Sequence, residues 1–549
     1  MKAPAGLLTA AAVTGALLVA SAPAAAVSFG DFTLEVTESL IADWNWVLDD
    51  AQIPHEADRE DVFDIRNRLN IRLRAGAFVV GTRLDLAWFP NPPSGQYRDD
   101  LRPEEIFATG RFGPLTVTLG DDYLSFGRGL ALSLRKIDEL GFATSLRGLH
   151  LSYRTRRLRA RLSAGLTNVV NVDTVEQKLV PDPNDVVFAA RVEGEPIAGV
   201  KLGLNLVDIE RRHSDLRSSI AGTLTGDDDT GTINSQRFIR STIIGGSVEV
   251  PSLLDSLSLY AEVDALIGDN VRLTAQGERA DDVEGFAAYA QLLGYLGDWT
   301  VLAELKHYDD FDVSSTLHPD TAQAQGVTRT LSYIVPPTLE RIDQRIFNNT
   351  DVTGGHVRVD YAVPDARDVL FLSGAFFVDA PGEDEWTTHV YGGYEHTGAG
   401  GNRMLLQAGY RREEAPDEDL TRLRLVHFDL DIFHVFSERA DMQLHWSHEF
   451  RDKNIGAPAL QDTYLEGTSY LSLNLPPSWS ITAQLEYLSD DNSADAPLFP
   501  GAFIQYRFTQ ATYVRLFVGR SKGGLKCSGG VCRIFPSFEG VRIEATMRL

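Results

Sequence analysis

The first residues in this chain with types and spacing suited to chemistry are Cys527 and Cys532, which enclose Ser-Gly-Gly-Val and are its only cysteines. In an oxidising compartment such a pair closes a small ring, and the two glycines allow the tight backbone path that ring needs. A structural staple of a loop is expected. Redox or metal chemistry would want Cys-Xaa-Xaa-Cys spacing or a nearby histidine, and neither is present. Nucleophilic catalysis finds little support. His213-Ser214-Asp215 is adjacent in sequence rather than assembled, and Ser447 and His448 alternate to opposite faces if their segment is a strand. His427, His445 and Asp429 can share one face, where solvated histidines account for them. Gly127-Arg128-Gly129 lacks the lysine and Ser/Thr of a phosphate loop and the third glycine of a dinucleotide loop. No enzyme activity and no cofactor are expected.

Charge placement carries more information. Arg66, Arg68, Arg72, Arg74, Arg83, Arg147, Arg154, Arg157, Arg159 and Arg161 crowd the polar parity of the first third, with few acids such as Asp85 and Asp122. Later segments contribute Glu262, Asp264, Glu304, Asp360, Asp429, Asp431, Glu449 and Glu486, mixed with Lys306, Arg358, Arg411, Arg451, Arg507 and Arg515. If these line one interior, one wall is basic and the facing wall mixed or acidic. A transverse field of that kind orients polar solutes.

The elements that would position those residues are β-strands. In 299–308, Val301, Ala303 and Leu305 share one parity while Glu304, Lys306 and Tyr308 share the other. The same alternation opposes Val426, Phe428, Leu430 and Ile432 to His427, Asp429 and Asp431, and Val541, Ile543, Ala545 and Met547 to Arg542, Glu544, Thr546 and Arg548. About 24 such stretches run from 32–47 to 538–549, an even number of the kind bacterial barrels use. Gly297-Asp298, Ala75-Gly76, Pro364-Asp365, Pro476-Pro477-Ser478 and Glu438-Arg439 punctuate every second junction as tight turns, and the other junctions are long and acidic. The fold class that follows is all-β: a transmembrane antiparallel up-and-down β-barrel with short periplasmic turns and long extracellular loops. Soluble sandwiches also alternate, but they have no reason to keep one side trimmed.

Residues 1–26 read as a cleaved signal peptide, with Lys2, an apolar run from Leu7 to Ala20 and small residues through Ala26. Residues 27–549 then form a single barrel domain in the outer membrane of a Gram-negative bacterium. The net charge of -26 argues against nucleic acid as a partner. Acidic runs at 49–61, 227–229, 281–284, 383–385 and 413–419 are assigned to the long connections, where divalent cations could bridge them to lipopolysaccharide.

A lumen this wide cannot be filled by side chains alone, and too few residues precede the first strand for an N-terminal plug. Two long connections, 125–144 and 309–353, are the candidates for insertion. In the former, Phe126, Arg128, Leu130 and Leu132 are assigned to a constriction, because an apolar alternation serves a segment laid on an inner wall better than a surface loop. The pore-lining set is Arg66, Arg68, Arg72, Arg147, Arg157, Arg159, Arg161, Glu304, Asp429 and Asp431.

Gly120-Asp121-Asp122-Tyr123-Leu124-Ser125-Phe126-Gly127-Arg128-Gly129-Leu130-Ala131-Leu132, the following Ser145-Leu146-Arg147-Gly148, and Cys527 to Arg533 resemble recurring segments of a large outer-membrane β-barrel family of undetermined function. The resemblance implies fold and location and brings no activity with it. Two functions remain open at this point. One is a passive channel or transporter for small polar or anionic solutes. The other is a non-conducting envelope scaffold, or component of a cell-surface complex, that holds a protein partner.

Overall fold

The structure, a computed structural model, describes residues 25–49, 61–91, 99–137, 142–172, 179–181, 185–210, 236–274, 277–311, 313–315, 331–334, 337, 351–379, 385–415, 420–454, 462–489, 498–509, 511–522, 524–528, 531–535 and 538–548. The fold is a closed antiparallel barrel of 24 strands. In chain order they are β1 (Phe32–Asp49), β2 (Asp61–Ala75), β3 (Phe78–Asn91), β4 (Asp100–Phe112), β5 (Leu115–Asp122), β6 (Phe142–Arg154), β7 (Leu158–Val172) and β8 (Val186–Ile197). Next come β9 (Val200–Glu210), β10 (Gln236–Leu253), β11 (Leu257–Thr274), β12 (Gly277–Leu296), β13 (Trp299–Asp309), β14 (Val352–Ala362), β15 (Asp368–Asp379) and β16 (Glu385–Thr397). The last eight are β17 (Arg403–Ala415), β18 (Leu420–Ser437), β19 (Ala440–Lys453), β20 (Asp462–Leu475), β21 (Trp479–Leu488), β22 (Leu498–Arg507), β23 (Tyr513–Ser521) and β24 (Phe538–Arg548).

Each strand pairs with its sequence neighbour, and β24 returns to β1 with Arg548 opposite Ser39 and Val541 opposite Trp46. Closure removes both edges, as a wall in hydrocarbon requires. Below Ser39 the edge of β1 is taken by a short strand, Ala25–Phe29, which runs from Ala25 opposite Val36 to Phe29 opposite Phe32. Tight turns join the strands at this end. Gly76 and Gly297 supply φ values of +55° and +65° in two of them, which side chains rarely adopt.

Outward positions are greasy and open. On β9, Leu202, Leu204 and Leu206 are exposed while Asn205 between them is buried toward the lumen. Aromatic pairs mark the turn end of the belt: Phe78 with Phe112 at 5.7 Å, Trp299 with Tyr361 at 4.6 Å, and Trp479 with Tyr506 at 4.7 Å. At the opposite end Phe376 meets Trp386 at 6.1 Å, and Trp88 is exposed. Amphipathic rings at two levels are what the two interfaces of a bilayer favour.

At the loop end the structure corrects one expectation. The acidic run 281–284 belongs to β12 rather than to a connection: Asp281 pairs with Asn270, Asp282 with Asp269 and Glu284 with Ile267. The ladder of β11 and β12 continues past the apolar alternation because a strand above the bilayer is wet on both faces, so its pairing needs no hydrophobic pattern. Most other acidic residues assigned to connections, including 50–60, 227–229 and 416–419, lie outside the described residues.

The belt generates a direct test. Leu204→Arg puts a charge near the midpoint of β9 and should cost about 2–4 kcal/mol of folding stability in vesicles. An unchanged denaturation midpoint would contradict the assignment of this face to lipid.

Candidate functional site

Between β5 and β6 the chain turns into the lumen. Leu124–Phe126 and Leu132–Leu134 form a hairpin with Leu124 opposite Leu134 and Phe126 opposite Leu132. Its apolar residues Leu124, Phe126, Leu130, Ala131, Leu132 and Leu134 are all buried. They pack on lumen-facing Val187, Ala189, Val207, Ile209, Ile243 and Leu266 of β8 to β11. Burying each Leu or Phe contributes roughly 1.5–3 kcal/mol, which is what holds a segment against an otherwise wet wall. The second long connection joins it. Phe311, Val313, Tyr333 and Ile334 belong to the same cluster, Ser133 donates its N–H to the Tyr333 carbonyl at 2.7 Å, and the Tyr333 hydroxyl donates to Asp185.

The hairpin tip is docked by polar contacts. Gly127 adopts φ +62°, and a Cβ there would stand 1.6 Å from Glu262 Oε1. Only glycine fits. Glu262 accepts the Arg128 N–H at 2.9 Å, the Tyr260 hydroxyl at 2.6 Å and the Asn205 amide at 3.2 Å. The Arg128 guanidinium lies 4.6 Å from the Tyr260 ring centre and donates to Gln291 at 3.0 Å. Phe126, Leu130 and Leu132 are therefore wall anchors, and Arg128 is the one of the four with a polar tip contact.

The lumen charges are largely paired two residues apart on one strand, where side chains share a face. Arg191 binds Glu193 at 2.8 Å, Arg358 binds Asp360 at 2.8 Å, Arg411 binds Glu413 at 2.8 Å, and Arg83 with Asp85 and Arg451 with Glu449 repeat the spacing. Arg66 reaches Asp64 at 2.8 Å and also Asp43, Arg68 lies 3.8 Å from Asp85, and Arg161 reaches Asp122 at 2.6 Å. On the far wall Glu304 accepts from Gln291 at 3.2 Å and meets His356 at 3.2 Å. Asp431 lies 2.6 Å from His445 Nδ1. Asp429 accepts from the Ser447 hydroxyl at 2.8 Å and meets His427 at 3.0 Å, so Ser447 points its proton at a carboxylate and not at a base.

Two sequence assignments change. Arg147 shares parity with the exposed Leu149 and Tyr153, whereas Leu146 is the buried, inward residue, so Arg147 faces outward. There it is tied to Asp121 at 2.9 Å. Arg157 sits in the tight turn between β6 and β7, where its carbonyl accepts the Glu195 N–H at 3.0 Å. It lines no wall. Arginines open to the lumen near the turn ends include Arg72, Arg111, Arg154 and Arg159 on β2, β4, β6 and β7 and, by the same parity, Arg403 on β17 and Arg507 on β22. Among the described residues none of these forms an ion pair, although Glu193 lies opposite Arg159 and Glu35 opposite Arg72 in register and Glu105 is within electrostatic reach of Arg72, whose guanidinium lies 6.0 Å from the Phe107 ring centre. Arg111 was not among the residues singled out in the sequence, although its parity with Phe107 and Thr109 carried the signal.

Cys527 lies opposite Cys532 in a hairpin of Gly524–Ser528 and Val531–Phe535. Its side chains, and His213 to Asp215, fall outside what is described. Among the described residues no group of three or more His, Cys, Asp or Glu is arranged to hold a metal ion.

Comparison with known proteins places the chain in a family. A family of unknown function (DUF6029) matches residues 8–170 and 430–549, just over half of the chain, and the chain belongs to it. No curated protein matches. Among solved structures, the FrpB iron transporter from Neisseria meningitidis is similar at 10% identity with a TM-score of 0.47, over 94% of this chain and 81% of that one. The siderophore receptor PirA from Pseudomonas aeruginosa gives 9% identity and 0.46, over 94% and 80%. OccAB3 from Acinetobacter baumannii gives 10% identity and 0.34, over 95% and 100%.

The docking of the tip is testable. Gly127→Ala should unseat the hairpin and raise amide hydrogen exchange across 124–134 by at least tenfold while leaving the barrel strands protected. Unchanged protection would show that Glu262 does not hold the tip.

Proposed function

We propose that this member of the DUF6029 family is a passive channel in the outer membrane of a Gram-negative bacterium, exported by a cleaved signal peptide, that passes small polar or anionic solutes. The observation that carries the reading is the group of lumen arginines, without an ion pair among the described residues, at the turn end of β2, β4, β6 and β7. Many other lumen arginines are ion-paired, within one strand as Arg191 with Glu193 or across strands as Arg161 with Asp122. A basic excess at this mouth raises the local concentration of anions and selects for them at the rim. The inserted hairpin narrows the path above it without supplying charge beyond Arg128. Acidic residues beyond the strand ends would take divalent cations that bridge to lipopolysaccharide.

A second reading keeps the barrel closed and makes it an envelope scaffold. What favours it is the insertion of both long connections, which meet at Ser133 and Tyr333. Planar-bilayer recording separates the two. Discrete conductance steps with an anion-side reversal potential are expected from the wild type, and Phe126→Ala with Leu132→Ala should enlarge the steps. Replacing Arg111, Arg154 and Arg159 together with Glu should abolish or invert the anion preference. A silent barrel that purifies with a stoichiometric partner would replace the channel with the scaffold, and unchanged selectivity in the triple variant would remove the basic mouth as the selecting element. The mature N-terminus, read by mass spectrometry of the purified protein, should be Val27.

A further inference from the structure

The wall made by β16, β17 and β18 carries two histidines that a channel leaves unused. His389 on β16 and His427 on β18 are separated by a whole strand, yet their Nε2 atoms lie 3.0 Å apart. Both side chains are about 1% exposed. The residue between them explains how they meet. Gly409 on β17 is paired with Tyr391 on one side and His427 on the other, and a Cβ there would stand 2.3 Å from His427 Nε2. With no side chain on the middle strand, the two rings lean across it and approach at 63° with centres 5.2 Å apart.

The far nitrogen of His427 is fixed. Its Nδ1 lies 3.0 Å from Asp429 Oδ2, and Asp429 Oδ1 accepts the Ser447 hydroxyl at 2.8 Å. A carboxylate can only accept, so the proton sits on Nδ1 and the Nε2 lone pair of His427 accepts the Nε2–H of His389, the one proton that a metal ion between the rings must displace to His389 Nδ1 or to water. A carboxylate behind an imidazole is the arrangement that orients metal-binding histidines and raises their basicity. Arg411, across from His389 in register, is held by Glu413 at 2.8 Å. Glu449, opposite His427 in register, is likewise held by an arginine, Arg451.

We propose that His389 and His427 form a binding site for a late first-row divalent metal ion, with Cu2+ the preferred one. With bonds of about 2.0 Å to each nitrogen, a 3.0 Å separation makes the angle at the metal roughly 95°. That is nearer the right angle of tetragonal copper or nickel than the tetrahedral angle zinc prefers, and imidazole sites bind Cu2+ most tightly in the first-row series. Among the described residues no cluster of three such ligands forms, and the two imidazoles are the ligands assigned.

The test uses the full chain in detergent, stripped by a chelator and titrated with CuCl2, with NiCl2 and ZnCl2 for comparison. One equivalent of Cu2+ with an electron paramagnetic resonance pattern from two nitrogens is expected, bound more tightly than Ni2+ or Zn2+. His389→Ala and His427→Ala should each weaken binding at least tenfold, and Asp429→Asn on the order of tenfold to a hundredfold. Gly409→Ala keeps both imidazoles but drives them apart, and should erase the two-nitrogen pattern. His434→Ala should change nothing. Each variant is first shown to be folded by its heat-modifiable electrophoretic migration. Equal copper binding by the wild type and the doubly substituted His389→Ala, His427→Ala protein would overturn the proposal, as would a single-nitrogen pattern in the wild type.

Discussion

Every other feature of this molecule follows from one constraint: backbone N–H and C=O groups in hydrocarbon have no water to bond, so the sheet must close on itself. The return of β24 to β1 meets it, with Glu544 across from Asp43 and Arg548 across from Ser39. Where β24 stops short, the short N-terminal strand pairs with the start of β1, and its residues Val27 to Phe29, opposite Leu34 to Phe32, lie beyond the proposed cleavage point. Closure in turn fixes parity. Once a cylinder is made, each side chain faces lipid or lumen, and the polar set has only the inside to occupy.

An inside surface of many strands creates a second problem, which the chain solves in two ways. Charged side chains are set two apart on one strand, so that Arg191 and Glu193, Arg358 and Asp360, and Arg411 and Glu413 satisfy each other without relying on a neighbouring strand. Such pairs offset the cost of partial desolvation more than they add stability. Elsewhere the chain fills the lumen with itself. The hairpin at 124–134 and the segment around Tyr333 cover an apolar shelf on β8 to β15.

Much of this was legible in the sequence. All 24 strands stand where alternation placed them, because a two-sided environment writes a period of two into any strand that crosses it. Most ends near the tight turns agree within a residue or two, since Gly297-Asp298 and Ala75-Gly76 are chemical signals, but the strands expected to end at Glu193 and Val250 run on to Ile197 and Leu253. The loop ends were not legible. β10 begins at Gln236 and β12 at Gly277, well beyond the apolar alternation, because hydrogen bonding continues in water without a pattern to announce it. The leucines at 130, 132 and 134 did announce an inner wall segment, but nothing in the sequence told that Gly127 would seat on Glu262, 135 residues later in the chain. The approach of His389 to His427 depends on a glycine on the strand between them and on register, which composition does not carry.

Arg147 shows why parity alone assigns a face incorrectly. The rule that polar side chains point inward assumes a wet lumen, and it holds for Arg66, Arg161 and Glu304. At the level of Leu146 the lumen is filled by the hairpin, so the inner face there becomes apolar, as Leu146, Val187 and Val207 demonstrate. The code inverts. Arg147, one residue on, is left outside and is held by Asp121, whose other oxygen accepts the Ser145 hydroxyl at 3.0 Å. An outward ion pair next to an inward leucine is therefore the local signature of an inserted segment, since neither residue would choose its side if the lumen at that height held water. Under the proposed channel role, the same reasoning locates where solute would meet charge. Apolar packing fills the wall around the hairpin and ion pairs occupy much of the rest, so among the described residues arginines without an ion pair gather near the turns, as Arg72, Arg111, Arg154 and Arg159 do.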